Sequence, residues 1–286
     1  IVRETMVLLN GTGVDGTWNH TVNVSESSVA PIHYVFRVLD RGGYNITTEP
    51  REITVLNDDR LGFDVDTPFQ ATTGEDLIVL ASILDNIAVG NVSLVYWFGD
   101  DAVVPSVVEM VPTSVDDGGN GTYEWRNVTI PSDSLEDLMF YVHAWDRANN
   151  SNRTITFEEP VHDNDRPSLE ILHDVDTPGT GNTFEFRVRV GDNIGVTDVW
   201  VKHTRGRLSF GAINDSALPI DVDEGGNGTY GLVIVLSNHS LADLTYLIIV
   251  QDGSSNQHIS GMGILEVIDD DPPVVLEDAT PPSTSR

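Results

Sequence analysis

Five short strings in this chain return, in the same order, about 106 to 110 residues later. DVDTP at 64–68 recurs at 174–178, and DNIAV at 85–89 recurs as DNIGV at 192–196. GGNGTY at 118–123 recurs at 225–230, SLEDLMFYV at 134–142 as SLADLTYLI at 240–248, and AWDRANN at 144–150 as VQDGSSN at 250–256. A chain that keeps one spacing through five matches builds the same unit more than once. The first residues join the series, because VDGTW at 14–18 matches GNGTY and PIHYVFRVLDRGGYN at 31–45 matches LMFYVHAWDRANN. The expected division is therefore 1–59 as the second half of one repeat and 60–165 and 166–271 as two whole repeats. Residues 272–286 open a further repeat or supply an exchanged strand. A chain that begins mid-repeat reads as a processed segment, or as a window on something longer.

Inside a repeat the apolar period is two. TFEFRVRV at 183–190 sets Phe184, Phe186, Val188 and Val190 against polar neighbours, the pattern of a half-buried strand. GVTDVWVKH, GTYGLVIVL and LTYLIIVQD are equally short and rich in β-branched and aromatic residues, with Gly, Asn and Asp between them. No helix is predicted beyond one turn at SLADL or SLEDL. About seven strands in about 106 residues predict an all-β chain of tandem immunoglobulin-like β-sandwich domains. A cadherin-like sandwich has similar size and stays open. Strands are expected near 168–173, 183–190, 196–203, 217–222, 229–236, 244–250 and 258–268.

Strand parity then locates the acidic residues. Each repeat ends in an acidic knot: VLNDDRLGF at 55–63, VHDNDRPSLE at 161–170, VIDDDPPVV at 267–275. In a seven-strand antiparallel sandwich the second-to-third, fourth-to-fifth and sixth-to-seventh strand turns share the pole where the linker arrives. Asp163 and Asp165 should meet Asp192 and Asp252 there, with Asp64 and Asp66 approaching from the turn after the first strand of the previous repeat. By the same logic the preceding linker gathers Asp58, Asp59, Asp85 and Asp146. Like charges so close repel, by roughly 1 kcal/mol at 4 Å in bulk water and more where water is thin. A hard cation with six to eight oxygen ligands removes that penalty, so structural Ca²⁺ is the expected cofactor. The competing reading is a set of solvated Asp/Asn turns. The chain has no cysteine and no paired histidines at metal spacing, which argues against zinc and excludes disulfide stapling. With 45 acidic against 15 basic residues the net charge is −30, and Lys202 is the one lysine. Nucleic acid, which needs a positive footprint, is not an expected partner.

Asn-x-Ser/Thr triplets begin at Asn10, Asn19, Asn23, Asn45, Asn91, Asn120, Asn127, Asn149, Asn152, Asn214, Asn227 and Asn238, 12 of the 19 asparagines. With 44 Ser and Thr in 286 residues, chance gives about three, so N-linked glycans on an exported surface protein are expected. The NDS at Asn214 is the poorest acceptor. NGT is also turn chemistry, which competes at Asn120 and Asn227. The most apolar stretch, 244–250, is far below the roughly 20 residues of a spanning helix, so no membrane insertion is expected within this segment. Catalytic signals are thin. The eight histidines are scattered, GGNGTY lacks the lysine of a phosphate loop, and the carboxylates single out no acid–base pair. No enzyme activity is expected. Trp97, Trp125, Trp145 and Trp200 lie in strand-like runs, as core or sheet-face residues.

DNIGV, NGTY and the closing acidic linker resemble the tandem immunoglobulin-like repeats of archaeal and bacterial surface proteins. HDNDRP at 162–167 is similar to the calcium-binding joint of cadherins. The resemblance implies an extracellular, cell-surface location and a structural role in a filament, S-layer or stalk, with self-association into a polymer or array. The other readings are an adhesin or carbohydrate-binding module, which predicts an exposed aromatic patch on one repeat only, and an accessory region of a large secreted enzyme.

Overall fold

The alternation read from the sequence becomes strand after strand. A computed structural model describes residues 2–66, 70–100, 104–172, 177–208 and 211–274; among them there is no helix, and so none long and apolar enough to cross a membrane. The chain divides into two compact units, one of residues 1–69, 76–128 and 137–159, the other of residues 70–75, 129–136 and 160–286.

The first unit opens with a hairpin, β1 (Val7–Gly11) and β2 (Gly16–Asn19), followed by the short strands β3 (Ile32–Tyr34), β4 (Arg37–Leu39), β5 (Asn45–Thr47) and β6 (Arg51–Ile53). β4 pairs with β5 and β3 with β6. Next come β7 (Gly62–Asp66), β8 (Ala71–Thr72, of the second unit), β9 (Asp76–Leu84), β10 (Val89–Phe98), β11 (Ser106–Glu109), β12 (Val111–Val115), β13 (Gly121–Thr129), β14 (Leu138–Asp146), β15 (Ser151–Arg153) and β16 (Phe157–Glu159). Apart from β8, they form two antiparallel sheets, in the orders β12-β13-β9-β7 and β11-β10-β14-β15, with β16 also on β14. The pairing His143↔Arg153 and Leu138↔Glu159 repeats, 106 residues on, the pairing Arg37↔Thr47 and Ile32↔Ile53. Period two decides which side chains go inside: Leu138, Phe140, Val142 and Ala144 of β14 are buried with Val79, Ala81 and Ile83 of β9.

In the second unit β17 (Val161–His162) runs parallel to β8. β18 (Ser168–Ile171), β19 (Thr183–Gly191), β20 (Val196–Arg205), β21 (Ile213–Ser216), β22 (Leu218–Val222), β23 (Gly228–Val235), β24 (Leu244–Asp252), β25 (Gln257–Ile259) and β26 (Gly263–Leu265) follow. The sheet orders are β18-β19-β23-β22 and β21-β20-β24-β25, with β26 also on β24. This is the order of an immunoglobulin-like sandwich. Phe184, Phe186, Val188 and Val190 of β19 share one core with Val199 and Val201 of β20 and Ile248 and Val250 of β24. Phe186 meets Phe184 and Tyr246 edge-on at 5.0 and 5.1 Å between ring centroids. Each such side chain stabilises the fold by about 1.5–3 kcal/mol.

Two expectations are refined. The fourth strand, expected near 217–222, begins earlier as β21 on one sheet and crosses to the other at buried Ala217, whose N–H donates to Val199 O at 2.8 Å. Met110 makes the same crossing in the first unit, donating to Val92 O at 2.9 Å. The last strand, expected unbroken over 258–268, is interrupted between Ile259 and Gly263. Residues 275–286 of the expected further repeat or exchanged strand, and Asp174 and Asp176 of the second DVDTP, lie outside the described residues.

Candidate metal centre

The turns at one end of the second sandwich are fixed by their own side chains. Asp223 Oδ1 accepts the Asn227 N–H at 2.8 Å, and Gly226 and Gly228 take φ of +78° and +147°. A Cβ on Gly228 would stand 2.1 Å from Asp221 O, so the last glycine of GGNG is required. The turn thus holds Asn227 so that its Oδ1 accepts the Asp192 N–H at 2.8 Å. Asp192 Oδ1 in turn accepts the N–H groups of Ile194 (2.9 Å) and Gly195 (3.2 Å). At the end of β24, Asp252 Oδ1 accepts those of Ser254 and Asn256, both at 2.8 Å. In each carboxylate one oxygen builds the turn and the other is left over.

Asp163, from the linker, completes the group: Asp163, Asp192 and Asp252 each offer an oxygen, all within 4.8 Å of one another. Asp252 is only 1% exposed. Asp192 Oδ2, Asp252 Oδ2, Asn193 Oδ1 and Ser254 Oγ are buried and have no hydrogen-bond partner. Unpaired buried oxygens of this kind are costly and call for an explanation. The donors that do arrive go to Asp163. Thr73 Oγ1 donates to its Oδ1 at 3.1 Å, Asn193 Nδ2 to the same atom at 3.3 Å, and Asn256 Nδ2 to Oδ2 at 3.2 Å. Asn193 Nδ2 also donates to Ser132 O at 2.8 Å, and His258 holds the linker through Pro167 O at 2.8 Å. Burial raises the Asp192 carboxyl above its usual range, against the N–H bonds of Ile194 and Gly195, and the charges of Asp252 and Asp163 add to the rise.

These residues fit a hard divalent cation. Ca²⁺ binds oxygens at 2.3–2.6 Å, so two of its ligands stand no more than about 5 Å apart, in keeping with the 4.8 Å spread. The donors are carboxylate and amide oxygens, a set that suits calcium rather than zinc.

The other expected ligands are placed differently. Asp165 is exposed and only its N–H reaches the group, donating to Asp163 Oδ1 at 3.1 Å. Asp64 and Asp66 are not turn residues. They lie in β7, exposed on one face while Phe63 and Val65 are half-buried on the other. The period-two pattern of GFDVD won over its turn-like composition. In the first unit Asp146 is 3% exposed and fully partnered: Oδ1 by the N–H groups of Ala148 (2.8 Å) and Asn150 (2.7 Å), Oδ2 by the amides of Asn57 (2.7 Å) and Asn150 (2.8 Å). Asp85 Oδ2 accepts the N–H groups of Ile87 and Ala88, and its Oδ1 is unpartnered. Asp59 Oδ2 accepts from Asn86 Nδ2 at 2.7 Å, and Asp58 is exposed. Among the described residues these four do not form a three-carboxylate group. Sequence reasoning placed Asn193 in the same turn as Asp192 without naming it a ligand, and it passed over Asn256 and Thr73. Asn193 and Asn256 stand inside the repeated strings, where their recurrence was the available signal.

The acceptor asparagines divide by surroundings. Asn10, Asn19, Asn23, Asn45, Asn91, Asn127, Asn149, Asn214 and Asn238 are exposed, while Asn120, Asn152 and Asn227 are half-buried and hydrogen-bonded. Asn120 Oδ1 accepts the Asp85 N–H at 2.6 Å, and Asn152 Nδ2 donates to Leu61 O at 2.9 Å.

No family model matches this chain, and no curated protein matches it. Among solved structures it is similar to the fibronectin(III)-like modules of CbhA from Clostridium thermocellum, at 12% identity over 73% of this chain and 94% of that one, with a TM-score of 0.26. It is also similar to Rst D1-D2 (10%, covering 74% and 100%, TM-score 0.40) and to an ICAM-5 D1–D4 ectodomain fragment (12%, covering 83% and 61%, TM-score 0.42). The class is the one that the strand order defines: tandem immunoglobulin-like β-sandwich domains.

Proposed function

We propose that this chain is a structural segment of an extracellular surface assembly, such as a filament, an S-layer or a stalk, built from glycosylated sandwich repeats and stiffened by calcium at a linker. The observation that carries the reading is the Asp163–Asp192–Asp252 group with its buried, unpartnered oxygens. A cation there ties the linker to two turns of the sandwich that follows it in sequence, and so restricts the motion a free linker allows. Extracellular calcium modules bind at roughly 10⁻⁴ to 10⁻³ M, so the site would fill outside a cell. The twelve acceptor triplets support an exported, glycan-bearing protein. Self-association into a polymer or array belongs to the same reading. Thermal melts in millimolar calcium and in excess chelator test it. The unfolding temperature is expected to be several degrees higher with calcium, and equal values would sink the calcium part.

One observation favours an adhesin or carbohydrate-binding role as a second reading. The outer face of β14 carries Met139, Tyr141, His143 and Trp145, whereas the matching face of β24 carries Thr245, Leu247, Ile249 and Gln251. An aromatic row on one repeat and not on the other is what a ligand face would leave. All three of its rings are engaged already: Arg153 lies 4.7 Å over the Tyr141 ring, and His143 packs against Trp145. A glycan array separates the readings.

A further inference from the structure

We infer that the two linker sites are not equivalent: the second takes one divalent cation of the calcium class, while in the first the side-chain amide of Asn57 stands where the ion would act and makes that linker independent of calcium. The inference rests on the calcium reading above and gives it a stoichiometry.

At an offset of 106 residues Asn57 corresponds to Asp163, Asp146 to Asp252, Arg147 to Gly253, Ala148 to Ser254 and Asn150 to Asn256; at 107, Asp85 corresponds to Asp192 and Asn86 to Asn193. Three of these changes act in the same direction. Asn57 removes one carboxylate, Arg147 adds a positive charge next to Asp146 in sequence, and Ala148 replaces a hydroxyl whose counterpart, Ser254 Oγ, is buried without a partner.

The hydrogen bonds show the result. In the first unit two amides converge on Asp146 Oδ2, from Asn57 at 2.7 Å and from Asn150 at 2.8 Å. Asn150 Nδ2 also donates to Asn57 O at 2.9 Å, closing the linker onto the turn. In the second unit Asn256 Nδ2 donates to Asp163 instead, at 3.2 Å to both its O and its Oδ2, and Asp252 Oδ2 receives no donor. Asp252, 1% exposed with that oxygen unpaired, is the independent sign that a positive partner belongs there. At Asp146 the positive ends of N–H bonds already occupy the carboxylate, and a cation would have to displace them. The first site keeps two unpartnered oxygens, Asp85 Oδ1 and Asn86 Oδ1, against four at the second, and no group of three carboxylates gathers there among the described residues.

The test is calcium binding to the chelator-stripped chain of 286 residues, followed by calorimetry and native mass spectrometry in enough potassium chloride to suppress loose surface binding. Hydrogen exchange locates the response. Wild type is expected to bind one equivalent, with new protection at 192–195 and 252–256 and none at 85–88 or 146–150. Asp163→Asn should lose that equivalent, and Asn57→Asp should raise the count to two. Two equivalents in wild type, or protection at both places, overturns the inference and leaves the calcium reading standing. No binding at all overturns both. If Asn57→Asp fails to fold, the wild-type count and the exchange map still decide.

Discussion

His143 stands on the outer face of β14 with its ring centroid 3.9 Å from that of Trp145, and Arg153 pairs across from it on β15. Burial lowers its pKa below the ordinary histidine value of 6.5, and the Arg153 charge lowers it further. Well above pH 6.5 the ring is neutral in folded and unfolded chains alike and contributes nothing. As the pH falls below 6.5 the unfolded chain takes the proton first, so stability declines until the folded pKa is passed. The imidazole resonances of His143 should therefore titrate below those of a free histidine. Arg153→Ala should restore only part of the difference, because burial is the larger cause. A midpoint at or above 6.5 would contradict the packing described for this face. His203 has a different setting, buried with Nε2 3.0 Å from Asp215 Oδ2. Nothing in the string VKHTR distinguishes it from His143 in YVHAW, since both stand in strands and only the pairing tells outer face from core.

The last strand of each repeat breaks its ladder at the same place. Thr154 Oγ1 accepts the Val142 N–H at 3.1 Å while the Thr154 N–H donates to Val142 O at 3.0 Å. Ser260 does the same with Ile248, at 2.9 and 2.8 Å, and Thr48 with Phe36, at 3.0 and 2.9 Å. A hydroxyl thus takes the place of a carbonyl where the strand bulges out of register. Val142 is fully buried, so its N–H has no water to turn to. Thr154→Val should cost about 1–3 kcal/mol in urea unfolding, and Thr154→Ser should retain most of the stability. An unaffected Thr154→Val would show that the hydroxyl bond carries no weight. The strands themselves were legible, because alternation such as Phe184, Phe186, Val188, Val190 has no other use. The break was not legible: three hydroxyls spaced by 106 residues do not stand out among 44. The pole of Asp192 and Asp252 followed from strand parity. Asp64 and Asp66 did not, because DVD fits a turn and a strand edge equally well until Phe63 and Val65 are seen to be half-buried. The exchange of Asn57 for Asp163 is plain in the letters, but its meaning lies in the direction of the amide hydrogens, which no spacing encodes.

Across the whole chain a net charge of −30 favours solubility and attracts cations, and it strains any fold that gathers carboxylates. Where glycans attach, the surroundings of their acceptors predict an uneven pattern. Peptide mapping of protein from its natural source should find Asn91, Asn127 and Asn238 modified far more often than Asn120, Asn152 and Asn227. Equal occupancy would mean that the folded surroundings have no say. Asn120 and Asn227 give that comparison a further use. Each spends its amide oxygen on holding the turn that carries Asp85 or Asp192. An enzyme that attaches sugar needs that side chain extended and free, which it is only before the turn closes. A sugar found at either position is therefore a timestamp, recording that the chain met the transferase before it finished folding.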